Sequence, residues 1–268
     1  MSQDAVSALK NALNSLEKTQ SPIAQDPISL GSRAIDHALG GGLIRAGLHD
    51  IYGAGTAHIS AATGFAAALA SRAAGPRPIL WVRQDFLDSE TGRLNAFGLA
   101  ELGLDPACII LVRARDIEGV LRAAEQAARC PSLGAVLIEP WGEPKMLDFT
   151  ASRRLSLASA KSGVPAFMLR VSASPAQSAA ATRWKVQALP SQPLEANAPG
   201  FPMFELSLLR HRGGVAGQVW HVEWHRDQKC FQDQSCSGVT PVSRPVVPVF
   251  DDRQIAPQTP QYAFRRAG

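Results

Sequence analysis

Residues 53–60 are where this chain has the material for chemistry. They read Gly53-Ala54-Gly55-Thr56-Ala57-His58-Ile59-Ser60, after the apolar run Leu48–Tyr52 and ahead of an alanine-rich stretch. A glycine-bearing loop between a strand and a helix N-terminus is a layout that cradles phosphate, because loop amides and the helix dipole both favour an anion. A working loop of this kind reads G-x-x-x-x-G-K-[ST]. Its second glycine lets the backbone wrap the phosphates, its lysine neutralises them, and its hydroxyl holds magnesium. Here Gly53 and Ser60 stand, but His58 replaces the second glycine and Ile59 the lysine. No lysine occurs between Lys18 and Lys145. Arg45 and Arg83 are the arginines with the charge to substitute. The spacing predicts a phosphate loop that has lost its hydrolytic chemistry, so no catalytic residue, cofactor or metal is expected.

A second constellation, His221 and His225 with Cys230 and Cys236, has the residue types of a zinc site. Its spacing argues otherwise. The segment Gln218–His225 alternates like a strand, and strand residues four apart stand about 13 Å from each other. The same alternation places Trp220, Val222 and Trp224 on a core face and His221, Glu223 and His225 on the other. Cys108 and Cys130 read as small buried hydrophobes. G-x-S-x-G is absent, so no nucleophile elbow is expected.

The elements that must position the loop alternate along the chain. Short apolar runs at Leu48–Tyr52, Ile79–Val82, Ile109–Val112, Ala135–Ile138 and Ala166–Val171 read as buried strands. Between them, Ser60–Ala74, Ser89–Leu102, Asp116–Cys130 and Met146–Lys161 read as helices. Strand and helix in alternation predict an α/β fold, a parallel sheet with helices on both faces. The later runs Ala181–Leu189, Met203–His211 and Gln218–His225, with a turn at Arg212-Gly213-Gly214, predict an antiparallel extension of it. Residues 1–27 read as an N-terminal helix and linker. In that helix Val6, Leu9, Leu13 and Leu16 share a face suited to a partner. Residues 28–236 form the domain. Residues 237–268 are a proline-rich, disordered tail ending in Phe264-Arg265-Arg266, a candidate docking motif.

Composition narrows the class. The chain has 268 residues, 46% of them hydrophobic, enough for one sizeable core. No apolar run is long enough to cross a bilayer, and Met1–Lys18 lacks a signal-like apolar segment, so a cytoplasmic protein is expected. Four cysteines do not make a disulfide scaffold. The net charge of +4 permits nucleic-acid contact without demanding it.

The run from Leu30 through Ala70, followed by Ile79–Asp88, resembles the RecA core, with Ala135–Glu139 where that core has its Walker B strand. The degenerate loop after Ile51-Tyr52-Gly53, the Thr182-Arg183-Trp184 segment, and Leu206–Gly214 running into Trp220 resemble more specifically the ImuA family. The likeness covers about residues 28–230. It implies a RecA-like accessory protein of SOS-induced, error-prone translesion DNA synthesis. Such a protein acts beside ImuB, an inactive polymerase-like protein, and a DnaE-type polymerase. By position, the RecA-type catalytic glutamate becomes Gln84, which can orient a water but cannot take its proton. Glu139 keeps a carboxylate at the Walker B position, with a strand-end acid hydrogen-bonded at the loop edge as the alternative reading, and a lone carboxylate cannot run an ATPase.

RecA proteins touch DNA through two loops that correspond here to Pro140–Met146 and Ser172–Thr182. Trp141, Lys145, Arg153 and Arg154 are the candidate DNA contacts, with a solvated helix face as the alternative for the two arginines. Expected partners are ImuB, and RecA or a second copy, through the 4–18 helix. Two other readings are a RecA-like nucleotide-binding ATPase or sensor and a SulA-like cell-division inhibitor.

Overall fold

In a computed structural model the described residues are 26–234, except 196, 197, 199 and 215. The expected helix with Val6, Leu9, Leu13 and Leu16, and the expected tail with Phe264, Arg265 and Arg266, lie outside them. Nine strands among the described residues form one sheet in the order β3-β2-β4-β5-β1-β6-β7-β8-β9. They are β1 Leu48–Gly53, β2 Ile79–Gln84, β3 Ile109–Ala114, β4 Ala135–Glu139, β5 Ala166–Arg170, β6 Thr182–Leu189, β7 Met203–His211, β8 Val219–His225 and β9 Cys230–Asp233. Strands β1 to β5 pair in parallel, β6 joins β1 in parallel, and β7, β8 and β9 continue antiparallel. Both parts of the expected sheet are present.

Six helices flank the sheet among the described residues: α1 Arg33–Ala38, α2 Ile59–Ala74, α3 Leu87–Glu90, α4 Ala96–Glu101, α5 Ile117–Ala128 and α6 Phe149–Ser162. The long ones start and stop where their sequences dictate. The Asp116 carboxylate accepts the Gly119 N–H at 2.8 Å and caps α5, and Asp148 caps α6 through the Ala151 N–H at 2.7 Å. Gly163, in the left-handed region, ends α6. The start expected at Asp116 is therefore the cap itself, and the one expected at Met146 moves inward to Asp148.

The single helix expected over 89–102 is two short ones. Thr91-Gly92-Arg93 interrupts it, with Gly92 at φ 82°, and the Arg83 guanidinium donates to the Gly92 carbonyl at 2.7 Å. That turn has a partner in the core that sequence periodicity cannot register. Two further elements, α1 and β9, are too short to stand out in the sequence.

The two faces carry separate cores. Helix α2 is buried almost all round because alanine and glycine let it lie close on the sheet, where Phe65 meets Trp184, Phe204 and Phe231. On the opposite face α5 and α6 cover Val82, Val136, Ile138 and Met168. Val222 and Trp224 are buried, Trp220 packs at the core margin, and His221 is exposed, as the alternation predicts. Cys130 and Cys108 depart from expectation. Cys130 is exposed just beyond α5 and Cys108 is half-exposed at a 3-10 turn, because both fall at element ends and not inside them. Strand β9 closes the domain on its own beginning. The Phe231 N–H donates to the Leu30 carbonyl at 2.9 Å, and the Ser32 hydroxyl bonds the Asp233 carboxylate.

Candidate functional site

The loop after β1 sits at the carboxyl end of the central strand, between β5 and β6. Gly53 lets the loop fold back closely on itself there. A Cβ on it would stand 3.2 Å from the Gly55 carbonyl oxygen and 3.4 Å from that of His58. The chain then makes a 3-10 turn, Thr56–His58, before α2 begins at Ile59. His58 does not point at the loop's open side. Its Nδ1 accepts the Ala188 N–H at 3.1 Å, which pins the loop to β6. Ile59 packs against the core beside α2 and Ser60 is exposed. The two replaced positions have thus become structural supports.

Neither arginine considered as a replacement cation reaches the loop. Arg45 donates to the Ala73 carbonyl at 2.7 Å, at the far end of α2. Arg83, on β2, is turned into the molecule. Its Nε donates to Glu139 Oε2 at 2.9 Å, and its terminal nitrogens donate to Asp88, Thr91 and Gly92 at 2.6–2.7 Å. Glu139 Oε2 also accepts the Trp81 indole N–H at 3.0 Å. Glu139 is 1% exposed and Arg83 3%. Burial pushes the Glu139 carboxyl up, and the Arg83 charge pulls it back down.

A Walker B acid must face the metal and water; Glu139, expected at that position, is instead held in a buried ion pair with Arg83 on the neighbouring strand. Gln84 is engaged too, its Oε1 accepting the Trp141 N–H at 3.1 Å. With no lysine in the loop, an engaged carboxylate and an engaged glutamine, the residues at these positions do not fit magnesium-ATP hydrolysis.

The two loops expected to meet DNA, Pro140–Met146 and Ser172–Thr182, are held in place. Trp141 packs at the core margin with Phe86 edge-on, ring centroids 5.2 Å apart. The Ser174 N–H donates to Glu143 at 2.7 Å, tying one loop to the other. The second loop is then clamped. The Ser178 hydroxyl donates to Asp50, Arg183 donates to the Ser178 hydroxyl, Arg210 donates to the carbonyls of Ser178 and Ala180, and the Ala179 N–H donates to Ser152. Lys145 is exposed in the first loop. On α6, Arg153 is exposed, while Arg154 donates to Glu125 at 2.8 Å across to α5.

Arg154 and Glu125 edge a groove of about 460 Å³ between those helices. No group of three or more His, Cys, Asp or Glu among the described residues is placed to hold a metal. His221 faces Glu205 on β7, 3.3 Å away, and not a second ligand.

At the amino end of β1 and β6 lies a buried polar chain that sequence reasoning passed over. The Trp184 indole N–H donates to Thr182 Oγ1 at 2.9 Å, and the Thr182 hydroxyl lies 2.8 Å from His49 Nδ1. His49 Nε2 lies 2.8 Å from the Ile44 carbonyl, which only accepts, so the proton is on Nε2 and Nδ1 accepts from Thr182. Full burial lowers the His49 pKa to about 4. The Thr182-Arg183-Trp184 segment held this signal, but its partner is 133 residues away.

No family model matches the chain. Two curated relatives, each named Protein ImuA, come from Caulobacter vibrioides strains NA1000 / CB15N and ATCC 19089 / CIP 103742 / CB 15. Each is 31% identical over 218 residues, covering 75% of this chain and 83% of the relative. Among solved structures, the RadB recombinase superposes with a TM-score of 0.53 at 15% identity, covering 78% of this chain and all of that one. That likeness is one of fold, and it agrees with the RecA-like sheet described above. By its identity to these relatives over most of their length, the chain belongs to the ImuA family.

Proposed function

We propose that this protein is a RecA-like accessory protein that works by docking and not by hydrolysing ATP. Its setting is SOS-induced, error-prone translesion synthesis, alongside ImuB and a DnaE-type polymerase. The observation that carries the reading is the Arg83–Glu139–Trp81 network. It occupies Glu139, the one acid left to a RecA-type hydrolytic site once Gln84 has replaced the other. The loop supports the same reading, because Ile59 belongs to the core packing where a lysine would bind phosphate. Partner contact is then the task of residues 4–18 and 238–268, outside the described residues. An extended proline-rich segment docks with little further loss of chain entropy.

Two measurements test this together. Purified full-length protein should show no magnesium-dependent ATP turnover above a blank, with or without single-stranded DNA. Binding to purified ImuB should weaken at least tenfold on truncation after residue 236 or on Leu9→Asp/Leu13→Asp, with the melting temperature of the domain unchanged. Stoichiometric ATP turnover, or full ImuB affinity after loss of both segments, overturns the reading.

A further inference from the structure

A pocket of about 210 Å³ opens over the degenerate loop, lined by Gly53, Gly55, Thr56 and Ile59 on one side and by Arg170, Ser172 and Ser174 on the other. Arg170 is the last residue of β5, on the strand next to β1. Only 8% of it is exposed, and its Nε is buried with no acceptor among the described residues. A buried guanidinium N–H without a partner is uncommon and calls for an explanation. The surroundings aim the group and do not quench it. The Tyr52 ring lies 5.7 Å from Cζ and supports the cation from one side.

The two acids nearest in charge are already engaged. Asp50 accepts from the Ser178 hydroxyl and pairs with Arg183 at 3.5 Å, and Glu143 holds the Ser174 N–H. Across the pocket, the Gly55 and Thr56 N–H groups donate to no backbone carbonyl among the described residues. They precede the 16-residue α2, whose dipole favours an anion at this end.

We propose that this pocket binds a phosphate group without magnesium, Arg170 serving as its cation in place of the loop lysine that the chain lacks. The inference goes beyond the docking role and does not depend on it. The loop amides would supply the neutral donors, and the planar guanidinium suits a tetrahedral oxyanion. The pocket is smaller than the 300–1,000 Å³ typical for whole drug-sized ligands, so it takes a phosphate end and leaves any nucleoside outside. Inorganic phosphate and the terminal phosphate of a nucleotide offer the same chemistry, and the test separates them.

The full-length protein is melted in EDTA with low millimolar inorganic phosphate, ADP or adenosine, and affinities are taken from the concentration dependence of the shift. Phosphate and ADP should each stabilise the protein saturably, and adenosine should not. Equal affinities would assign free phosphate; ADP at least tenfold tighter would assign a nucleotide. Arg170→Gln should weaken binding about tenfold or more, the loss of a charge-assisted bond. Thr56→Asp, at an exposed rim position, should do the same by repulsion without touching the core. Lys145→Gln should leave binding unchanged.

Where Arg170→Gln fails to fold, Thr56→Asp and the broadening of the ³¹P resonance of phosphate on the unaltered protein carry the test. The proposal is overturned by no saturable shift, by a strict need for magnesium, by equal shifts in the parent and both variants, or by response to a single-stranded oligonucleotide alone.

Discussion

Replacing Arg83 by Met is the sharpest test of the idea that the Walker B acid has become structural. The change removes four hydrogen bonds and leaves Glu139, 1% exposed, with only the Trp81 indole N–H. Breaking a buried ion pair from one side costs about 3–5 kcal/mol, since the remaining charge is stranded in low dielectric. For a domain of this size that is a fall in melting temperature of about 6–20 °C. Glu139→Gln should cost less, because the amide oxygen still accepts from Trp81 and Arg83 keeps Asp88. The double variant Arg83→Met/Glu139→Met should recover about 2 kcal/mol or more of the summed single losses, because neither charge is then orphaned. Urea denaturation followed by tryptophan fluorescence reads these values, with the slope m held constant as the check on a two-state comparison. A cost below about 1 kcal/mol for Arg83→Met, or strict additivity in the double variant, would refute the reasoning. Glu139 would then be free to serve a ligand.

Three further outcomes follow from the same structure. The unfolded chain takes up the His49 proton as pH falls through 6.5, whereas the folded one resists it until about 4, so this group's stabilisation is full above pH 6.5 and drains away down to pH 4, about 3 kcal/mol in all. Burial raises the Asp50 and Glu139 carboxyls, whose contributions run the opposite way, so the difference between the parent and His49→Gln isolates the histidine; an unchanged difference between pH 7 and pH 4.5 would contradict the assignment. Gly42→Ala should destabilise by at least about 1–3 kcal/mol in chemical denaturation, because residue 42 has φ 135° and a Cβ would sit 2.4 Å from the Ile28 carbonyl oxygen; a neutral result would mean the Ile28–Leu43 bridge is dispensable. Arg153→Ala/Arg154→Ala should leave single-stranded DNA affinity within about twofold and the salt slope unchanged, given that Arg154 is paired with Glu125; a slope reduced by one or more would make that helix a phosphate contact.

The sheet was legible in the sequence because parallel buried strands leave unbroken runs of Val, Ile and Leu. Ile79–Val82 and Ala135–Ile138 announce themselves without their neighbours. Helix ends were less so. The caps at Asp116 and Asp148 are visible in retrospect, but an aspartate two residues either way would have read as well. The loop's departures, His58 and Ile59, could be found by spacing alone. The fate of Arg83 could not, because its five-residue distance from Asp88 and its 56-residue distance from Glu139 carry no periodic signal. Arg170 was missed for a related reason. It lies one residue from the end of the apolar run Ala166–Val171, where a lone arginine carries no signal of its own, and only the sheet order brings it beside the loop.

The contact of β9 with the start of the domain has a consequence for how the protein is made. Leu30 and Ser32 leave the ribosome early, yet their partners Phe231 and Asp233 follow about two hundred residues later. At about 5–20 residues per second, the first segment waits some 10–40 s for its mate. For the greater part of that interval the central strand also lacks β5 and β6, its two neighbours, so the sheet cannot begin to close from its amino end. The nascent chain is therefore exposed to chaperones and proteases for most of its synthesis. A stop codon anywhere before β9 would leave a product unable to seal its own beginning. Ending the chain after residue 236 leaves that seal in place.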